Sequence, residues 1–400
     1  MRFKHIYLLI FLLSLNVQSC SDDTQMFLES IVEEESSATD TTNPNGNDDS
    51  DSNTADDSTQ NDNGTVDEGT SDPGSNEAPI DQGTIDPTIE IATWKNFASS
   101  AVSHTWDDAY KQQVDIAIPL FDEFDMHTTL FVLPNNIGNW EPYRTAYLSG
   151  HEIASHTMSH PDFDKLAMTE VEYQLNRSQE VIIQNMGYND CLTLAYPYCH
   201  ADSFNLTEKY YIAARLCQSR IEKSTPENFM EVAAFLCGEG SAYSTADQLN
   251  SIAKSAKNQT GWGVYMFHLI DGTGGYTIDS EVLRQHLTFL SSSPQDYWVD
   301  SFLNVVKYIK QRNVAEIRLV EENSNHIILS YSDSLDDEIF DFPITFKRMI
   351  SSNLSIDNIQ VFQDSKECES YVLEEIDNGE LKRFIVFNAV PDSGNIVIQL

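Results

Sequence analysis

Positive charge is scarce in this chain. Its 400 residues hold 23 Lys and Arg against 63 Asp and Glu, a formal net charge of −40. Nucleic acids and anionic membrane surfaces are held through arrays of Lys and Arg, so this balance argues against both as partners. Between Lys4 and Lys95 there is no Lys or Arg at all. Cysteine is also sparse, at six residues: Cys20, Cys191, Cys199, Cys217, Cys237 and Cys368. No Cys-x-x-Cys pair occurs among them, so a thiolate zinc knuckle has no support. A phosphate cradle is missing too. The run Asp271-Gly272-Thr273-Gly274-Gly275 does not open a helix with Lys and Ser/Thr in place, and reads as a flexible rim loop.

Long apolar runs are confined to the start. Arg2 and Lys4 precede the run from Ile6 to Leu15, and Val17-Gln18-Ser19-Cys20 follows. The pattern predicts a secretory signal over residues 1–19, too short for a stable transmembrane helix. Its ending resembles a bacterial lipobox, which implies lipidation at Cys20. The acidic residues after Cys20 resemble the export tag of surface lipoproteins. Together they imply an exported protein anchored by lipid alone to the outer membrane and exposed at the cell surface. Residues 20–90 are rich in Asp, Asn, Ser, Thr and Gly. They carry about half of the net charge and too little apolar surface to offset ordering entropy, so a disordered acidic tether is expected.

From residue 91 the composition turns aromatic and β-branched. Apolar strands alternate with helix-period stretches up to residue 313, for example AVSHTW, then VDIAIPLFDEF, then TTLFVL. Thr169 with Glu172, and Thr245 with Gln248, have the capping-box spacing that opens a helix. Such alternation predicts parallel βα units and an α/β fold, either a barrel or an open sheet. Residues 314–400 instead carry short strands parted by turns such as Asp377-Asn378-Gly379, which predicts a small β-sandwich that packs as an accessory module.

Chemistry-bearing residues gather at the predicted strand ends. Asp107 and Asp108 close the first strand, His156 and His160 follow another, and Tyr198, Arg215 and His268 end three more. In a βα barrel, strand ends and their following loops form the active face. One carboxylate with two imidazoles makes a three-ligand metal site with an open position. A spare carboxylate beside it is placed to act as a base. Four other histidines read as structural: His104 as packed or hydrogen-bonded, His286 on a helix, and His127 and His151 in loops. Cys199 is expected to pair with either Cys217 or Cys237.

Four ordered segments carry a resemblance to a known family: HTWDD at residues 104–108, HTMSH at 156–160 within its strand-end run, AYPY at 195–198 and FHLI at 267–270. They resemble the motifs of the NodB-homology polysaccharide deacetylases, carbohydrate esterase family 4. The resemblance implies a distorted (β/α)7-8 barrel over residues 91–313, with the β-sandwich at the C-terminus. It also implies Asp108, His156 and His160 as metal ligands, most simply for Zn²⁺, with Co²⁺ or Ni²⁺ as substitutes. Asp107 takes the place of the general base, Tyr198 that of the oxyanion donor through its backbone N–H, and His268 that of the general acid. The implied activity is metal-dependent hydrolysis of acetyl groups, as amide or ester, on an acetylated polysaccharide or oligosaccharide.

The sequence departs from the motifs at two positions. Ala109 stands where glycine is usual, and Ala195 where the family has an arginine that pairs with the base carboxylate. Arg215, at the end of the next strand, is the candidate to reach the same carboxylate; a surface ion pair is the other reading of it. Without such a partner, the alternative is a catalytically impaired, glycan-binding surface lipoprotein on the same barrel.

Overall fold

The computed structural model describes residues 84–188, 190–356 and 359–400. The signal segment, Cys20 and the tether up to residue 83 lie outside the described residues. The described residues belong to one compact unit.

Eight parallel strands follow one another as predicted: β1 (Ser100–Asp107), β2 (Thr129–Val132), β3 (Glu152–Ser155), β4 (Thr193–Ala195), β5 (Ala213–Arg215), β6 (Phe235–Leu236), β7 (Trp262–Phe267) and β8 (Tyr297–Val299). Seven run in the order β5-β4-β3-β2-β1-β7-β6, and β8 pairs with the first half of β1. A parallel bridge between Arg215 and Val232, just before β6, joins the two ends of that order. The barrel is therefore closed by a single short bridge, which leaves it distorted.

Alternation along the strands sorts their side chains into two cores. Val102, Trp106, Leu130, Val132, Ile153, Leu194 and Phe267 pack outward in a cluster with the helices α1 (Ile118–Asp122), α2 (Glu141–Leu148), α3 (Met168–Met186), α4 (Ala246–Asn258) and α5 (Ser280–Ser291). Ala101, Phe131, Ala154, Ala195, Ala213, Val264 and Met266 belong to the second cluster, which fills the inside. Small side chains dominate that inner set, and this leaves room for longer polar ones at the strand ends.

Helix starts follow their local chemistry. Thr245 caps α4 with Gln248 as the sequence indicates. For α3 the box lies elsewhere: Ala167 is the N-cap and the Glu170 carboxylate accepts from its N–H at 3.1 Å, rather than the pair Thr169 and Glu172. Ala167 has no side-chain oxygen to offer, which hid this start from the sequence pattern.

The C-terminal region is a β-sandwich of two antiparallel sheets, with six and four strands. Tyr331 of one sheet packs edge-on against Phe346 of the other, ring centroids 4.9 Å apart. Both sheets recruit residues that the sequence assigned to the tether. Thr84–Ile85 pairs with Arg318 and Leu319, and Ile89–Ile91 pairs with residues 346–348. Between them the buried Asp86 accepts from Arg348 Nε at 2.8 Å. The order therefore begins before residue 91. The segment is too short to show a strand pattern, and its partners lie more than 220 residues away, so local reading does not detect it. The inner core continues from α6 (Phe302–Val314) into the sandwich, where Gln311 exchanges hydrogen bonds with the backbone of Phe342.

At the foot of the barrel, Glu152 is buried and accepts from Thr129 Oγ1 at 2.7 Å, from Thr193 Oγ1, and from the Leu303 N–H of α6 at 2.8 Å. It thereby ties β2, β3, β4 and α6 together. Burial pushes its carboxyl up to about 7, against an ordinary value of 4.5, despite those donors. A carboxyl raised on folding contributes stability at low pH that is lost as pH rises through the folded value. Glu152→Gln, a neutral isostere, should therefore gain on the wild type between pH 5 and pH 8, by up to about 3 kcal/mol. Denaturant unfolding at both pH values checks this, and parallel stability curves would contradict it.

Candidate active site

The face at the C-terminal ends of the strands collects the residues singled out from the sequence. Asp107 ends β1 and is 2 % exposed. The chain then turns through Asp108 and Ala109, both in the left-handed region at φ 77° and 58°. The turn brings Asp108 round towards the loop after β3. His160 also sits at positive φ, and the buried His156 stands one residue beyond the strand.

Asp108 Oδ1 lies 3.7 Å from Nε2 of both His156 and His160. One donor atom from each of the three residues falls within 4.8 Å of the others. Donors arranged tetrahedrally about 2 Å from an ion lie roughly 3.3 Å apart, so the set is close to ligand geometry. The chemistry of the donors agrees. His156 Nδ1 donates to the Ala195 carbonyl at 2.8 Å, which fixes the tautomer and leaves Nε2 as a lone pair facing the set. Burial pushes its pKa down and keeps the ring neutral, the form that ligates.

Arg215 is 1 % exposed and crosses the interior from β5 to β1. Its Nη2 donates to both Asp107 oxygens, at 2.6 Å to Oδ1. Its guanidinium lies over the Phe131 ring, 5.3 Å from the centroid, and Nη1 donates to the Leu216 carbonyl at 3.3 Å. Ala195 and Arg215 are register partners in neighbouring strands. The arginine therefore enters one strand over, at the level where the motif usually carries it, and the small Ala195 leaves space for it. Burial works to raise the Asp107 carboxyl, but Arg215, with His156 and His268, outweighs it and holds the group below the ordinary carboxylate value.

His268 follows β7, and Tyr276 of the glycine-containing loop lies 5.7 Å from it between ring centroids. Its Nδ1 is buried without a partner among the described residues. Tyr198 is 58 % exposed, at φ 55°, with its ring 4.5 Å from that of His160. Cys199 next to it forms a disulfide with Cys217, which decides between the two pairings open from the sequence; Cys191, Cys237 and Cys368 are free.

Sequence reasoning missed Gln113. It is fully buried, and its Nε2 donates to the carbonyls of Asp107 and, at 2.8 Å, His268, joining the two strand ends beneath the site. It follows Lys111 and Gln112, just before the apolar helical stretch, so no sequence signal set it apart. The other histidines stay outside the site. His104 and His286 meet at 3.1 Å between Nε2 atoms in the core, while His127 contacts Asp300 and His151 contacts Asp122.

A buried ion pair broken on one side leaves an uncompensated charge. Arg215→Met should lower stability by about 3 kcal/mol near neutral pH in metal-free protein. Because the folded Asp107 carboxyl is depressed, the pair stabilises above the ordinary carboxylate range and loses that effect as pH falls. The gap between wild type and variant should therefore narrow in acid. A gap independent of pH would show that Arg215 acts by packing alone.

Residues 95–210 match the family model described as polysaccharide deacetylase. Arg215 and His268 lie beyond that segment. A gellan lyase from a Bacillus species is 26 % identical over 330 residues, covering 77 % of this chain and 13 % of that protein. Chitin deacetylase 1 of Cryptococcus neoformans is 31 % identical over 84 residues, covering 21 % of this chain and 18 % of that protein. The chain thus spans less than a fifth of the length of either curated relative. Among solved structures, the peptidoglycan deacetylase PdaC of Bacillus subtilis aligns over 54 % of this chain and 93 % of its own, at 17 % identity and a TM-score of 0.39. Residues 95–210 thus carry the segment that this family model describes, a polysaccharide deacetylase domain.

Proposed function

We propose that this chain is a metal-dependent deacetylase that hydrolyses acetyl groups on a glycan. The observation that carries the reading is the buried Asp107–Arg215 pair beside the donor set of Asp108, His156 and His160. Those three would hold a divalent ion, and their mixed O/N character suits Zn²⁺ with Co²⁺ or Ni²⁺ as substitutes. Such an ion supplies Lewis-acid polarisation of the acetyl carbonyl and acidifies water.

The protein's own groups do the rest. Asp107, kept ionised by Arg215, accepts the proton of the attacking water. The Tyr198 N–H donates to the oxyanion, a contribution typically worth about 3 kcal/mol for one donor. His268 passes a proton to the departing nitrogen or oxygen, so amide and ester substrates are served by one arrangement. The reading of an inert glycan-binding barrel rested on Ala195 in the third motif. With Arg215 against Asp107, that support falls away. Lipidation at Cys20 and an outer-membrane location belong to the same proposal. They are supported by the leader residues and by a disulfide, which suits an oxidising compartment.

Acetate release from a panel of N- and O-acetylated glycans tests the activity; no release from any member overturns it. Asp107→Asn should keep its metal, as measured by elemental analysis, while kcat falls by a factor of about 10² or more. His156→Ala should lose metal, and equal metal content in both variants would remove His156 from the ligand set. For the anchor, Cys20→Ala should move the protein from the membrane to the soluble fraction of the expressing cell. Retention at the membrane would contradict lipidation there.

A further inference from the structure

We propose that the Cys199–Cys217 disulfide is a positioning brace for the catalytic centre, holding the Tyr198 loop in register with the strand end that supplies Arg215. The inference rests on the deacetylase reading above. Cys199 directly follows Tyr198, and Cys217 lies two residues after Arg215. The bond therefore joins the exit of β4 to the exit of β5 at the level of the site, with Cα atoms 5.7 Å apart.

Non-covalent support for this loop is thin. β4 and β5 are three residues each. Above their last register pair, Ala195 with Arg215, one backbone bond crosses, from Tyr196 N–H to the Arg215 carbonyl at 3.1 Å. Tyr198 and Cys199 both occupy the left-handed region, at φ 55° and 63°, and the turn is closed only by two long backbone bonds, Cys199 N–H to the Tyr196 carbonyl and His200 N–H to the Pro197 carbonyl, each at 3.2 Å. Outside the turn, His200 Nδ1 lies 2.7 Å from Asp162 and 3.1 Å from Asp164, contacts of a half-exposed imidazole that salt and pH weaken.

The brace also answers the displaced arginine. In the usual motif, one strand would carry both the arginine and the Pro-Tyr turn, so their spacing would be fixed by four consecutive residues. Here Ala195 and Tyr198 are on one strand exit and Arg215 on the next. A shear between the two strands would move the Tyr198 N–H relative to Asp107, which follows Arg215. A covalent link two residues from Arg215 and one from Tyr198 restores that fixed spacing. Small misplacements of such groups have large effects on rate because the reacting geometry is narrow.

The test uses the full chain in two forms, Cys199→Ser/Cys217→Ser and wild type reduced by a phosphine. In the reduction the phosphine gives two electrons to the disulfide, and one water supplies the two thiol protons and the oxygen of the phosphine oxide. Loss of the brace should lower kcat by about tenfold or more with KM within about twofold, metal content per chain being unchanged. Reoxidation should restore the wild type, and the double variant should be insensitive to reductant. Amide hydrogen exchange on metal-free protein supplies a readout independent of turnover. Exchange should accelerate at residues 196–200 and 215–217 and stay unchanged in α3. Unchanged kcat with unchanged local exchange overturns the inference. So does acceleration across the whole barrel, which would make the bond a general stabiliser. If oxidised wild type releases no acetate from any glycan, the functional reading fails, and the exchange pattern still decides whether the bond braces these two segments.

Discussion

Arg215 and Asp107 meet almost wholly out of bulk water, and much of the surrounding architecture follows from that contact. Removing two opposite charges from water costs several kcal/mol per ion, and attraction offsets this only with good geometry and few lone pairs left over. The planar guanidinium meets the condition in part, its Nε being buried without a partner among the described residues. It reaches both carboxylate oxygens, gives Nη1 to a backbone carbonyl and lays its face on Phe131. A lysine could not repeat this set, because its point charge lacks the fork and the flat face. Such a side chain needs space to cross the interior, and Ala154, Ala195 and Ala213 provide it on three successive strands. The inner core is poor in volume at this level because the charge pair occupies it.

The two ends of the barrel divide the work. At the foot, the strands start among Glu152, α6 and the sandwich, and donors from three elements meet the Glu152 carboxylate. At the other end, the donors are arranged to face outwards. Asp108, His156 and His160 are placed by their backbone, His156 also by its Nδ1 bond to the Ala195 carbonyl, and one donor atom of each falls within 4.8 Å of the others. Rigidity below and availability above are what a site needs when its groups must be placed before the substrate arrives. The sandwich shares the inner core with α6 at this end and carries none of the donor residues.

Much of this arrangement was legible in the sequence because it depends on local pattern. Strand-ending Asp107-Asp108 and the four-residue spacing of His156 and His160 needed no knowledge of the fold to be seen as candidates. Arg215 was legible only as a possibility. That it faces the same interior as Asp107 depends on register: Ala195 pairs with Arg215, and partners in parallel strands share a face. Register between β4 and β5 is set by contacts across the intervening helical region, which single residues do not announce. The same limit explains Gln113, whose two acceptors are backbone carbonyls, and carbonyls carry no sequence signal. It explains the strands at residues 84–91 as well. Asp86 reads as one more acid at the end of an acidic stretch until Arg348, 262 residues on, is placed beside it.

Backbone strain shows which parts of the site are paid for elsewhere in the fold. Asp108, Ala109, Thr157, His160, Tyr198 and Cys199 all have positive φ, and all lie in the turns just past β1, β3 and β4. Each such residue costs on the order of 1 kcal/mol relative to glycine. For Asp108 and His160 the cost has an evident return, since a glycine would remove a donor. Cys199 needs its sulfur for the disulfide. Ala109 is different: its side chain is a methyl group, and the contact it makes is through its carbonyl, which accepts from Tyr143 at 3.2 Å. Glycine, usual in the motif, would make that bond equally well without the strain. The price of alanine is partly offset because glycine loses more freedom on folding, by about 0.4–1 kcal/mol. Ala109 is also 9 % exposed and counted in the outer core, so its methyl group packs there. The position therefore tolerates alanine through a near balance of strain against packing and chain entropy, whereas no such balance exists at the donor positions, where the side chain itself is the requirement.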